Sequence, residues 1–293
     1  MFVIAGVSGN TGSVVAKSLL EKGERVRVIV RDAKKGAIWK ERGADVAVLA
    51  LDDEDALTRA LEGAKGAYLL SPPSPGSSDL LKEKRAFVDA LARAVDRSKI
   101  PHVVFLSSIG AQHDDGTGII RTVAYAERRL AQTSAKLTFV RAAYFLENWG
   151  SVLGAAAQGK LPTFLPPDLT IPMVATADIG RVAATALLEG ASAKTQILEL
   201  AGPRDYSSRD VAIAAAKVLG KPVEADGAPL AAVVPAFTSF GISADVAEQF
   251  RAMYAGIIDG TVAFEGGSAR LVRGAVDAES LLRGLSSAAT PAS

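Results

Sequence analysis

Cysteine is absent from this chain, which excludes disulfides, thiolate metal sites and cysteine nucleophiles together. That absence fits a cytoplasmic protein. Histidine is nearly as scarce, and the two present, His102 and His113, form neither a metal-binding spacing nor a triad pattern. An excess of one charge is also missing. With 33 basic against 32 acidic side chains, nothing commits the chain to nucleic acid or to an anionic membrane. The longest loosely apolar stretch, Ala228 to Phe240, is broken by Pro229, Pro235, Thr238 and Ser239. It falls short of the roughly 20 residues a membrane helix needs, so no span is expected. Met1-Phe2-Val3-Ile4 has neither a basic n-region nor a long apolar h-region, and no secretory signal is expected. The G-x-S-x-G elbow, the P-loop lysine motif and H-E-x-x-H are all missing, which removes the common hydrolase, kinase and zincin readings. No internal repeat is found.

What is present is a large apolar inventory, 49% of 293 residues, enough for one large α/β unit or a large and a small lobe. Short β-branched runs at Phe2 to Ala5, Arg25 to Val30, Asp45 to Leu49, Gly66 to Leu70, His102 to Leu106 and Leu137 to Val140 read as strands. Amphipathic helices lie between them. In Asp79 to Arg97, Leu80, Phe87, Leu91 and Val95 take one face and Lys82, Lys84, Arg85 and Arg93 the other. This alternation predicts a Rossmann-type α/β fold, a doubly wound parallel sheet over residues 1–145. After that the pattern loosens around Pro162, Pro166, Pro167 and Pro172, and residues 146–293 are expected to form mainly a smaller substrate-binding lobe. Residues 170–200 still read as a helix and a strand returning to the sheet. Ser207 to Asp210 reads as a capping box, and Ser286 to Ser293 as a frayed tail.

Gly6, Gly9 and Gly12 stand three apart between the first strand and a helix-like run from Ser13 to Leu20. A glycine turn feeding a helix offers backbone N–H groups to a pyrophosphate, so Gly6, Ser8, Gly9, Asn10, Thr11 and Gly12 are expected to bind a dinucleotide. Arg31 follows the second strand about 19 residues after Gly12, where the adenosine ribose is selected in such folds. Its guanidinium suits a 2′-phosphate, which favours NADP over NAD; Asp32 beside it is the alternative, as a partner for a free 2′-hydroxyl. Asp52 and Asp53 are each candidates to accept the adenine amino group or to cap the following helix. Asp178 reads as a helix-terminal carboxylate rather than a catalytic one.

The spacing G-x-x-G-x-x-G resembles that of extended and atypical short-chain dehydrogenases/reductases. Together with Val30-Arg31-Asp32, Phe105 to Ile109, Ala126 to Leu130, Thr138 to Asn148, Leu198 to Pro203 and Leu219 to Pro222, it resembles the NmrA-like family over most of the chain. That resemblance implies an NADPH-dependent quinone or azo reductase, a reductase of plant phenylpropanoids, or a non-catalytic regulator that senses NAD(P).

The superfamily's Tyr-x-x-x-Lys pair is missing. Aligning on Glu127 places Val123 at the lysine position and Ile119 at the tyrosine position. Tyr125, two residues from Glu127 and hence about 200° around the helix, faces elsewhere. Alcohol oxidation needs a base to take the hydroxyl proton, whereas a strongly electron-accepting conjugated substrate does not. The expected activity is therefore hydride transfer from NADPH, preferred over NADH, to a quinone-like or azo aromatic acceptor. Tyr144 and Asn148 are the candidate catalytic residues, Phe145 and Trp149 candidate aromatic walls or core, and Pro72, Pro73 and Ser107 the candidates to flank the nicotinamide. The expected partners are that small aromatic acceptor and, in a homo-oligomer, further copies of the chain. A non-catalytic NAD(P) sensor is the alternative, and a nucleotide-sugar epimerase or dehydratase would need a substitute for the tyrosine.

Overall fold

The computed structural model describes residues 1–289. β1 (Phe2–Ile4), α1 (Asn10–Glu21), β2 (Val26–Val30), α2 (Ala33–Glu41), β3 (Asp45–Val48), α3 (Glu54–Leu61), β4 (Gly66–Leu69), α4 (Leu80–Ser98), β5 (His102–Ser108), α5 (Arg121–Ala131) and β6 (Lys136–Ala142) alternate regularly. They are followed by β7 (Tyr144–Phe145), α6 (Leu153–Ala156), β8 (Lys160–Thr163), β9 (Ile171–Val174), α7 (Thr176–Glu189), β10 (Thr195–Ala201), β11 (Asp205–Tyr206) and α8 (Ser208–Leu219). The chain closes with β12 (Glu224–Gly227), α9 (Val233–Ser239), α10 (Ala244–Ile258), β13 (Arg270–Arg273) and α11 (Ala278–Ala289).

Eight strands form one sheet in the order β13-β10-β6-β5-β4-β1-β2-β3, with every neighbouring pair parallel. This is the Rossmann-like α/β architecture. Strand order reverses between β1 and β4, so the crevice beyond their carboxyl ends is where such sheets take ligands. The two-residue period of the strands divides the core. Phe2 and Ile4 pack with Val15, Leu19, Ile179 and Leu187 of α1 and α7, while Val3 and Ala5 pack with Leu57, Leu91 and Leu130 of α3, α4 and α5. β10 pairs with β6 on one side and β13 on the other, so residues after 170 complete the sheet.

A second apolar cluster gathers Leu146, Trp149, Leu161, Met173, Tyr206 and Val211, and it also draws in Ile109, Ile120 and Ala124 from the first half. The Ser207 and Asp210 side chains each bond the other's backbone N–H, completing the capping box that starts α8. The frayed tail expected from Ser286 is corrected in part: helix α11 carries on to Ala289, because Leu282 is buried in the second core and holds the helix down. The rest of that tail, residues 290–293, lies outside the described residues.

His102 opens β5 with its ring buried and Nε2 3.0 Å from Thr138 Oγ1 on β6. Burial, with Lys136 nearby, lowers its pKa to about 4. Since an unfolded histidine titrates near 6.5, the unfolded chain takes up the proton first, and stability is lost as pH falls from about 6.5 towards 4. The expected loss from this one group between pH 7 and pH 5 is about 2 kcal/mol. Denaturant titrations of His102→Gln at the two pH values should show a correspondingly shallower acid loss; parallel behaviour of variant and wild type would refute it.

Candidate functional site

The turn after β1 is built by three glycines with different jobs. Gly6 has φ of 71°, and a Cβ there would lie 2.5 Å from Leu70 Cδ2. A Cβ on Gly12 would sit 2.4 Å from the Ala5 carbonyl oxygen, so α1 can pack on β1 only without one. Gly9 is under no such constraint: its φ is −110°, and the nearest atom to an added Cβ is the Gly6 oxygen at 3.4 Å. Helix α1 has no side-chain cap and no acidic residue in its first turn, so no side chain competes with an anion for its leading N–H groups. Ser8 and Asn10 are exposed beside the turn, whereas Thr11 is buried and its hydroxyl accepts a 2.9 Å hydrogen bond from Tyr68.

At the end of β2, Arg31 is exposed, and no hydrogen bond or ion pair among the described residues holds it. Lys34 and Lys35, in the first turn of α2, are exposed as well. Asp32 is already committed, because its carboxylate caps α2 by accepting from Lys34 N at 2.9 Å. At the end of β3 it is Asp53 that caps α3, accepting from Ala56 N at 3.0 Å, and exposed Asp52 keeps its side chain uncapped.

Lys84 departs from expectation. Placed on the solvent face of its helix by periodicity, it is only 6% exposed, with Nζ donating to the Pro72 carbonyl. Burial lowers its pKa, against the pull of Glu83 and Asp52. The long stem folds inward because a carbonyl in the loop after β4 needs a donor. That contact holds half-buried Pro72, next to exposed Pro73, at the carboxyl edge of the sheet.

Ser107, at the carboxyl end of β5, has its side chain engaged. Its hydroxyl is buried and donates to Glu127 Oε1 at 2.5 Å; the side chain that borders the neighbouring cavity is that of Ser108. Alternation along β5 turns consecutive residues to opposite faces. Glu127 also accepts from Arg141 Nε at 2.9 Å and Nη2 at 2.7 Å, forming a buried fork between α5 and β6.

Beyond the ends of β5 and β6 lies a cavity of about 270 Å³. Ile119, on the 3-10 turn Gly118–Ile120, and Val123, on α5, both line it, together with Phe250, Met253 and Ile257 of α10. Tyr144, Phe145 and Asn148 face it from the segment after β6. Trp149 does not: its ring is buried in the second core with Nε1 3.4 Å from Met173 Sδ, which settles it as a packing residue. Burial raises the pKa of Tyr144, while hydrogen bonds from Tyr254 and Asn148 work the other way. No charged side chain lines the cavity among the described residues. The contribution of α10 was missed in the sequence; the apolar spacing of 250, 253 and 257 is visible there, but not what that face meets.

A model of the NmrA-like family matches residues 1–266. The chain is 26% identical to an NAD(P)H azoreductase of Xenophilus azovorans over 256 residues, 87% of this chain and 86% of that protein. An NADPH-dependent quinone oxidoreductase from Escherichia coli, solved with NADPH, superposes with a TM-score of 0.82 at 22% identity, covering 97% of this chain and 99% of that one. A triphenylmethane reductase from Citrobacter sp., solved with NADP(H), gives a TM-score of 0.78 at 18% identity over 92% and 93% of the two chains. Among the described residues no helix is long and apolar enough to cross a membrane.

Proposed function

Because the chain belongs to the NmrA-like family, we propose that it is an NAD(P)H-dependent oxidoreductase that reduces a small, uncharged quinone-like or azo aromatic acceptor. The observation that carries this reading is the apolar cavity at the carboxyl ends of β5 and β6, on the same sheet edge as the glycine turn. Its volume is near the lower end of the range for ligand pockets, about 300–1,000 Å³, which suits one or two fused rings. Walls without charge disfavour sulfonated or carboxylated acceptors.

In this reading the turn from Gly6 to Gly12, with Ser8, Asn10 and Thr11, receives the pyrophosphate. Arg31, supported by Lys34 and Lys35, receives a 2′-phosphate, and Asp52 accepts from the adenine. Pro72 and Pro73, with the chain beyond Ser107, border the nicotinamide, which supplies a hydride when bound in its reduced form. Tyr144 and Asn148 orient the acceptor, and the phenol, kept protonated by burial, gives up a proton to the reduced oxygen or nitrogen. Ile119 and Val123 line the cavity with hydrocarbon; we read them as standing at the positions of the Tyr-x-x-x-Lys pair, which leaves no base there for alcohol oxidation.

Purified protein mixed with NADPH and a panel of neutral quinones and azo dyes should show acceptor-dependent loss of the nicotinamide absorbance, with NADPH preferred to NADH. Absorbance loss no faster with acceptor than without it, across the panel, would remove the enzyme reading.

A further inference from the structure

Beside the cavity, the buried hydroxyl of Tyr254 has no part in the reduction described above. Tyr254, on α10, is 9% exposed, and its ring packs 5.5 Å from that of Phe164 in the second core. A phenylalanine would serve that packing equally well, and burying a hydroxyl is unfavourable unless something hydrogen-bonds to it. Among the described residues, the one partner of this hydroxyl is the hydroxyl of Tyr144, 3.4 Å away. Tyr144 lines the acceptor cavity and Tyr254 does not, so Tyr254 stands behind Tyr144 as seen from the acceptor. Asn148 also reaches the Tyr144 oxygen, from the cavity wall.

We infer that Tyr254 is a positioning residue for the reduction, its hydroxyl stabilising the Tyr144 oxygen while Tyr144 hands its proton to the acceptor. The inference rests on the cavity being the acceptor site. In the step concerned, hydride from the reduced nicotinamide brings two electrons to the acceptor and leaves negative charge on the acceptor oxygen, the nicotinamide ending oxidised. The Tyr144 O–H bond breaks, an O–H bond forms on the product, and the charge moves to the Tyr144 oxygen. That oxygen then accepts from the Tyr254 O–H and the Asn148 amide until solvent returns a proton. A 3.4 Å contact between two neutral phenols is weak. Once one of them becomes an anion the contact is charge-assisted, shorter and stronger, so the stabilisation is concentrated where the proton transfer needs it. With no charged side chain lining the cavity among the described residues, neutral donors carry the developing charge.

The test is a double-mutant cycle on the full chain with NADPH and menadione, a neutral naphthoquinone. Tyr254→Phe keeps the ring and removes only the oxygen. It is expected to lower kcat about tenfold, the effect of one hydrogen bond to a charged group, with KM changed less than about twofold. Tyr144→Phe should lower kcat about a hundredfold, as loss of a general acid does. The double variant should be no slower than Tyr144→Phe alone, because Tyr254 acts only through Tyr144. A structural role would instead give additive losses. An unchanged kcat in Tyr254→Phe, a loss confined to KM, or additivity in the double variant overturns the inference while wild-type turnover leaves the reductase reading standing. A wild type that reduces no menadione but turns over another acceptor shifts the same cycle to that acceptor, and a wild type that reduces none overturns both.

Discussion

Arg141→Met is expected to lower the free energy of unfolding by about 3–5 kcal/mol, because it strands a buried carboxylate. Glu127 is 7% exposed and receives three hydrogen bonds: two from Arg141 at 2.9 and 2.7 Å, and one from Ser107 at 2.5 Å. Without the guanidinium it keeps only the serine. Arg141 is itself 4% exposed, and its third nitrogen donates to Glu265 Oε2 at 2.5 Å, so the same side chain ties β6 to the segment that follows α10. Burial opposes the arginine's charge, yet the contacts with Glu127 and Glu265 outweigh it and carry the pKa upward. The sign of the effect depends on which partner is left. Replacing both residues in Glu127→Met/Arg141→Met removes the two charges together and should recover much of the loss, since an apolar pair of similar volume is often as stable as a buried ion pair. Urea denaturation of the single and double variants checks this. A loss below about 1 kcal/mol in Arg141→Met, or a double variant less stable than either single one, would contradict it.

Arg31→Ala should weaken NADPH binding about 10- to 100-fold and leave NADH nearly unchanged, which is the range for charge-assisted hydrogen bonds to a phosphate. Arg31 is exposed at the end of β2 and holds no acidic partner, so the substitution frees no buried charge and removes no packing. Its effect should be confined to the extra phosphate. Lys34 and Lys35 stay in place and set a floor under the loss, and added salt should weaken NADPH binding to the wild type more than to the variant. Titrating each nucleotide against both proteins decides the matter. Equal losses for NADPH and NADH would place Arg31 on a part of the cofactor common to both, and no loss for either would remove it from the site.

Much of the Rossmann half was legible from residue pattern alone. The six strands read from β-branched runs all form, each within about two residues of its expected ends. Their identity depends on local periodicity and on glycine turns, both of which are carried by neighbouring residues in the sequence. The turn after β1 was readable for the same reason: strand, glycines and helix are contiguous, and the left-handed φ at Gly6 is a local demand. For Asp52 and Asp53 the sequence offered two uses each, and only the fold separated them, giving the α3 cap to Asp53; Asp32, read as a partner for a ribose hydroxyl, caps α2.

What failed was assignment by helix face or strand end alone. Lys84 read as solvated because amphipathic periodicity knows only its own helix, and the Pro72 carbonyl that draws it inward belongs to the loop before it. Ser107 and Ser108 are adjacent and chemically alike; which of them meets Glu127 and which meets the cavity depends on the pleat of β5. By itself the sequence determined the strand order's raw material, the glycine turn between β1 and α1, the arginine after β2 and the hydrocarbon at positions 119 and 123, because each of these is fixed by residue type and short-range spacing. Only the tertiary structure decided that Ile119, Val123 and Tyr144 line one cavity with residues of α10, and that the Tyr254 hydroxyl meets that of Tyr144, because those contacts join segments up to about 130 residues apart and are set by packing, which short-range spacing does not encode.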